Sequence, residues 1–459
     1  VESFALIGFC GLLAVVSYLI SPRVQTVQAF FRGYSDTGEA PGLLTLILSQ
    51  VTTWIFARSL MNAGILGYFY GVAGALAYTA YYLSFLTGAY IVDGIRFRHG
   101  FGSVQEFLVS RFGRLGAGAY NCVAGIRLLS EVFANLLVIG IIFGVAGSTA
   151  YIVSILAVAA ITLGYSMMGG LRASLRTDVM QMVLLMVVLA VLFGQTLWID
   201  GFSFPAIVAS SPDLAGPGWI LLAVALLQVW SYPMHDPVMM DRGFVADRDT
   251  TRRSFLHAWW LSSICILVFG LLGVHAGLVK LDGETMVLTL MRIFGDTTML
   301  LFNVALVLSA VSTLDSTFSS AAKLSIVDMR LADPTPRNGR IAMALFFVGG
   351  LAFLFFGGRD LFAAVAVSGT ASMFLAPVIF FCIWGGRQVA PWAFAVAFVA
   401  AIGGAGLYMV ESSGYISVIE PIVGVSHKYA KLLVISASVL VIGCGAFALG
   451  LRQETEARA

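Results

Sequence analysis

The chain has 459 residues, of which 59% are hydrophobic and only 11% charged, with a formal net charge of +2. This composition excludes a soluble globular domain and gives no basic face for nucleic acid; it describes a polytopic protein embedded in a lipid bilayer. Cys10, Cys122, Cys265, Cys382 and Cys444 stand singly in apolar segments and the five histidines do not cluster, so neither disulfides nor a zinc centre have a pattern behind them.

Apolar runs of about 20 residues, the length a helix needs to cross a bilayer, recur along the chain. They predict thirteen spans, at 4–20, 41–69, 73–93, 118–146, 149–168, 177–198, 217–240, 254–279, 298–327, 340–357, 360–384, 389–410 and 429–451. The first lacks a basic leader and a small-residue cleavage site, so it reads as a retained helix. With the N-terminus outside and the C-terminus cytoplasmic, 18 of the 26 Lys and Arg fall in cytoplasmic loops and the tail, Arg96, Arg111, Arg172 and Arg252 among them. Five are external (Lys280, Arg292, Arg359, Lys428, Lys431) and three lie within spans (Arg58, Arg127, Lys323). The bias satisfies the positive-inside rule and supports spans and orientation together. Residues 1–459 read as one transmembrane domain. Setting aside the first helix and the last two (389–451) leaves ten, divisible as 41–198 and 217–384; five spans per half give the halves opposite orientation, the inverted repeat of many secondary transporters.

Polar residues interrupt these spans at few places. In 44–64, Ser49–Thr53 precede Arg58, and the residues alone allow either a broken helix or an intact one with a polar stripe. Arg58, too deep to snorkel, needs a carboxylate, a cavity or an anionic ligand. Arg127, Glu131 and Asn135 share a helix face four residues apart. They form either a closed network in which Glu131 neutralises an arginine, or a site where one arginine is free for a substrate carboxylate. Thr177 and Asp178 read as a helix N-cap with an acid in the first turn. Pro233 and Pro237 break the span around 228–249, where His235 and Asp236 read as a cytoplasm-proximal polar network. In 305–329, Ser309, Ser312, Thr313, Ser316, Ser320 and Lys323 share one side, with Asp315 on the flank. Small hydroxyls serve close packing, but the carboxylate favours a cation site. Lys323 and Asp328 lie near the cytoplasmic end, where snorkelling suffices.

These segments resemble the sodium/solute symporter family, which includes sodium/proline and sodium/galactose cotransporters. The resemblance rests on five stretches in order: 44–64, FGSVQEFLVSRFG at 101–113, GGLRASLRTDVMQ at 169–181, the Pro237…Arg242…Ala246 pattern, and 305–329 ending in Val327–Met329. Ala376-Pro377 and Trp384-Gly-Gly-Arg387 add to it. It implies an all-α, LeuT-like fold with a core of five plus five inverted helices, one extra N-terminal helix and two extra C-terminal ones. It implies a sodium ion held by the carbonyls of Leu48, Val51 and Ser309 and the hydroxyls of Ser312 and Thr313. Thr52, Thr53 and Trp54 would then line the substrate cavity, beside Arg58, Arg127 and Glu131. A second cation would lie at Asp178, Asp315 and Ser316. Asp315 replaces the usual hydroxyl residue there; two carboxylates either strengthen that site or share a proton. The family opens the 44–64 helix near its middle, and here no Gly or Pro marks the opening.

The function implied is that of a sodium-coupled symporter in the cell membrane, importing a small organic solute by alternating access, and not that of an enzyme. Arg58 favours a carboxylate or amino acid as the solute. Proton coupling, or a solute sensor on the same fold, is the alternative. No phosphate-cradling loop is present for ATP drive, and nothing in the sequence assigns an oligomeric state.

Overall fold

A computed structural model describes residues 2–199, 201–356 and 361–452. Arg359 and the tail from residue 453, both used in the charge count above, lie outside the described residues. The chain is almost wholly helical. It begins with α1 (Glu2–Ile20), α2 (Val27–Arg32), α3 (Leu43–Trp54), α4 (Ala57–Ala80), α5 (Ser84–Val92), α6 (Val104–Phe143) and α7 (Thr149–Gly169). It continues with α8 (Leu171–Leu197), α9 (Phe204–Val208), α10 (Pro217–Gln228), α11 (Pro237–Gly243), α12 (Arg248–Leu278), α13 (Met286–Ile293) and α14 (Asp296–Lys323). It closes with α15 (Pro336–Phe356), α16 (Leu361–Ser372), α17 (Leu375–Pro377), α18 (Pro391–Ser412), α19 (Ile419–Val423) and α20 (Lys428–Leu449).

Among the described residues nine helices are long and apolar enough to cross a membrane, and a bent pair, Val365–Ser372 with Leu375–Trp384, makes a tenth. The shorter apolar helices Phe4–Ile20, Leu43–Trp54 and Pro217–Gln228 fall below that length. Polarity is arranged inside out. Phe4, Leu115, Val399 and Val441 are exposed, while Arg58, Arg127, Arg242, Asp178 and Asp315 are buried. Water would not tolerate that surface, but hydrocarbon would.

Three glycine corners set the path. At Gly71 (φ +63) α4 folds back on itself, so the spans read at 41–69 and 73–93 meet there without an intervening loop. A Cβ at Gly74 would lie 2.0 Å from the Leu66 carbonyl oxygen, which is how closely the two limbs touch. Gly113 (φ +70) separates the 104–112 segment from the long limb of α6. That helix starts with a reciprocal cap: the Ser103 hydroxyl accepts from the Glu106 amide at 3.1 Å, and the Glu106 carboxylate accepts from the Gly102 amide at 2.8 Å. Gly170 (φ +55) turns the chain from α7 into α8, and here one expectation is corrected. The helix starts at Leu171, so Thr177 and Asp178 are not its N-cap but its seventh and eighth residues. Arg172 and Arg176 had disguised the start as a loop, although Arg172 is paired with Asp36.

Helices from both halves of the chain pack around α14. Residues 304–322 of α14 are buried throughout, packed by α3, α6, α7, α8 and α15. A helix carrying a long hydroxyl stripe and a carboxylate is therefore buried along most of its length.

Candidate substrate and cation site

Two helical runs open beside α14. The first opens at Ile55 (φ −81, ψ 75) and Phe56 (φ −64, ψ 149), between α3 and α4. The opening lies just past the polar run Ser49–Thr53, which stays helical. Side chains from three other segments take up the main-chain groups that the break releases. The Tyr82 hydroxyl donates to the Trp54 carbonyl at 2.8 Å, Asn135 Oδ1 accepts from the Ala57 amide at 3.1 Å, and the Ser309 hydroxyl donates to the Ile55 carbonyl. A helix can be opened by inserted side chains as well as by proline, which is why no Gly or Pro is needed here.

The second opening runs from Val229 to Asp236, between α10 and α11, through a 3₁₀ turn at Tyr232–His235. Pro233 and Pro237 remove two main-chain donors. Asp236 then caps α11, its Oδ1 accepting from the amides of Val238 (3.0 Å) and Met239 (3.2 Å). His235 is buried, with Nδ1 at 2.5 Å from the Tyr232 carbonyl and Nε2 at 2.9 Å from the Ser368 hydroxyl.

Between the openings lies a buried charge network. Arg58 Nη2 meets Glu131 Oε1 at 2.5 Å, Arg127 is paired with the same carboxylate, and Arg127 Nη2 donates to Asp236 Oδ2 at 2.9 Å. The indole N–H of Trp54 donates to that Asp236 oxygen at 3.1 Å. Two guanidiniums thus face two carboxylates, and neither arginine stands alone. Even so, Arg58 Nε and Nη1 and Glu131 Oε2 make no hydrogen bond to another described residue. Beside Arg58, rings of Trp54, Phe56, Tyr78, Tyr81, Tyr82 and Tyr232 close a cavity of about 20 Å³, room for roughly one water molecule. Thr52 and Thr53 are buried on α3 outside that lining.

On the hydroxyl stripe of α14, the Thr313 hydroxyl donates to the Ser309 carbonyl at 2.9 Å and the Ser312 hydroxyl to Asp178 Oδ1 at 2.9 Å. Leu48 and Val51 sit in the last intact turns of α3, and the Val51 carbonyl accepts from the Ile55 amide at 3.0 Å. Asp178 Oδ2 accepts from Ser49 (2.6 Å) and from Arg242 (3.1 Å). The Arg242 guanidinium also reaches the hydroxyls of Ser49 (2.7 Å) and Ser316 (2.9 Å). This arginine, counted from the sequence as a loop residue, is wholly buried. The signal that could have found it was its place in the Pro237…Arg242 motif. Asp315 Oδ2 accepts from the Thr177 hydroxyl, while its Oδ1 has no hydrogen-bond partner among the described residues. Lys323 does not snorkel as expected: Asp241 (2.7 Å) and Asp328 (3.0 Å) hold it inside, because the π-turn Leu324–Asp328 folds Asp328 back on it.

The broken runs, the polar stripe of α14 and the buried ion pairs lie side by side in one helical bundle. No protein-family model and no curated protein matches the chain. Among solved structures it is similar to the substrate-bound outward-open state of a Na+-coupled sialic acid symporter, a structure that reveals a novel Na+ site. The TM-score is 0.72 at 16% identity, over 99% of both chains. It is also similar to a nucleobase-cation-symport-1 family transporter in a closed conformation with bromovinylhydantoin bound. There the TM-score is 0.61 at 15% identity, over 95% of this chain and 98% of that one. The chain therefore has the all-helical, LeuT-like fold of membrane transporters.

Proposed function

We propose that this protein is a sodium-coupled symporter that imports a small organic solute, with a carboxylate or amino acid favoured, by alternating access. The observation that carries the reading is the opening at Ile55–Phe56, held by Ser309 of the hydroxyl stripe. It sets a helix break beside a cluster of oxygen atoms on α14. Sodium is assigned to the carbonyls of Leu48, Val51 and Ser309 with the hydroxyls of Ser312 and Thr313. Binding there joins α3 to α14 and selects the state that accepts solute. The fold similarity to a Na+-coupled symporter and to a cation-symport transporter supports cation coupling. One charge moving inward down 100 mV supplies about 2.3 kcal/mol.

Solute is assigned to the cavity of Trp54 and Arg58, with Thr52, Thr53, Arg127 and Glu131 around it. A solute carboxylate would take the Arg58 donors that Glu131 leaves unfilled. The N-terminus is assigned to the outside, and 41–198 and 217–384 to the two inverted halves. The buried pair Asp178 and Asp315 favours a second reading, in which a proton is the coupling ion. Reconstitution in liposomes tests both. An inward sodium gradient should drive accumulation of members of a panel of labelled carboxylates and amino acids, and a sodium ionophore should abolish it. Accumulation that follows a pH gradient alone would transfer the account to protons, and no accumulation under either gradient would overturn it.

A further inference from the structure

The cavity beside Arg58 has aromatic rings for most of its wall. Trp54 stands nearly perpendicular to Tyr82 (centroids 5.6 Å apart) and to Tyr232 (5.8 Å), and Tyr81 is tilted by 54° to Tyr78 and by 59° to Tyr232. The rings thus stand round the space like the sides of a box. Their polar tips are engaged elsewhere. The hydroxyls of Tyr78, Tyr81 and Tyr82 donate to Ser59 (3.0 Å), Gln228 (2.8 Å) and the Trp54 carbonyl (2.8 Å), and the Trp54 indole N–H donates to Asp236 (3.1 Å). These four rings therefore offer a solute π surface and no free donor. We propose that the box takes an alkylated ammonium group and that the solute is a zwitterion, its carboxylate on Arg58 and its cation among Trp54, Tyr78, Tyr81 and Tyr82. The proposal rests on the assignment of solute to this cavity and narrows the class of that solute.

Three observations point to a cation there. The first is that rings of this box already hold cations. The Arg58 guanidinium carbon lies 5.5 Å from the Phe56 centroid, and that of Arg127 lies 5.3 Å from Phe56 and 5.6 Å from Tyr232. Among the described residues no Lys or Arg stands over Trp54, Tyr78, Tyr81 or Tyr82, and electron-rich rings in a dry site attract a cation strongly. The second is that the unfilled hydrogen-bonding atoms have both signs. Arg58 Nε and Nη1 lack acceptors, and Glu131 Oε2, on the residue that Arg58 pairs with, lacks a donor. A primary ammonium would bring three N–H donors to that single carboxylate oxygen. With methyl or methylene in place of N–H, the rings take the rest. Charge balance is the third. Arg58 and Arg127 cancel Glu131 and Asp236. A zwitterion leaves the buried site neutral, whereas a bare anion adds a charge that burial penalises. At about 20 Å³ the box is shut, and a solute enters as the helices around the two openings part.

The test measures binding to the purified full chain by titration calorimetry, in sodium and in potassium. Each probe zwitterion is paired with the carboxylate in which carbon replaces its nitrogen: glycine betaine with tert-butylacetate, and proline with cyclopentanecarboxylate. At least one zwitterion should bind about tenfold or more tighter than its partner. Tyr81→Leu should reduce that ratio several-fold, and Tyr81→Phe, which keeps the ring, should preserve it. If Tyr81→Leu does not fold, the wild-type ratio decides alone. Carbon isosteres that bind as tightly as the zwitterions in both pairs overturn the proposal. So does choline bound as tightly as the better zwitterion, or no binding by either zwitterion. The symport reading fails separately: tighter zwitterion binding that is identical in sodium and potassium sinks sodium coupling and leaves this site standing. Accumulation of a carbon isostere in preference to its zwitterion, under a sodium gradient, does the reverse.

Discussion

Arg58 and Glu131 are 2.5 Å apart, and Glu131 also serves Arg127. That sharing predicts unequal variants. Glu131→Gln strands the buried Arg58 guanidinium and leaves Arg127 with Asp236 alone, and should cost about 3–5 kcal/mol. Arg58→Gln leaves Glu131 its second partner and should cost about 1–3 kcal/mol; melting temperatures of the two variants check the order. If solute displaces Glu131 from Arg58, Arg58→Lys should weaken binding of an anionic solute about tenfold or more, since an ammonium lacks the two-pronged fork. Rescue of folding by Arg58→Gln with Glu131→Gln, with anion selectivity intact, would contradict a role for Arg58 in gripping solute. At Asp178, Arg242→Lys should lower the melting temperature, because one point charge cannot reach Asp178, Ser49 and Ser316 at once. Equal stability would mean that the hydroxyl contacts carry no weight. In the sequence, both the Arg58–Glu131 network and a free arginine were open, because a face shared by Arg127 and Glu131 does not say what stands opposite it. The pairing with Asp236 needed the α10–α11 opening to bring that carboxylate across.

The two openings differ in how they could be read. Pro233, Pro237 and the capping Asp236 announce the one between α10 and α11, since proline removes a donor wherever it stands. The opening at Ile55–Phe56 is held by Tyr82, Asn135 and Ser309, residues distant in the chain, so no local pattern marks it. Asn135→Leu should therefore close or loosen it, at about 1–3 kcal/mol for the unmet Ala57 amide. Faster hydrogen exchange around residues 55–59 would check this, and unchanged protection would mean that the break is intrinsic to the chain. The contact between α4 and α12 is set by small residues, and a Cβ at Gly273 would lie 2.0 Å from the Gly64 carbonyl oxygen. Gly273→Val should reduce folded protein sharply, as judged by size-exclusion recovery. Recovery at the wild-type level would show that these helices can separate freely.

Across the molecule, the span pattern, the charge bias and the 305–329 stretch made the membrane fold legible, because hydrocarbon imposes length and polarity on every helix. The burial of Arg242 was not legible from hydropathy, because an arginine two residues past an apolar run looks like a loop anchor. The cavity beside Arg58 admits little more than a water molecule, and Arg242 and Lys323 tie α11 to α8 and α14. On the proposed transport cycle α3 and α11 move against α14, and the proposed sodium position lies at the α3–α14 contact that this movement changes. The most direct measurement is the melting temperature of the purified protein in sodium against choline at equal ionic strength. Sodium at a hundred times its dissociation constant should stabilise the wild type by about 2.7 kcal/mol. Ser312→Ala and Thr313→Ala should each need a higher sodium concentration for the same effect. Equal stabilisation by choline, or sodium curves that superimpose for wild type and both variants, would contradict a sodium ion at this position.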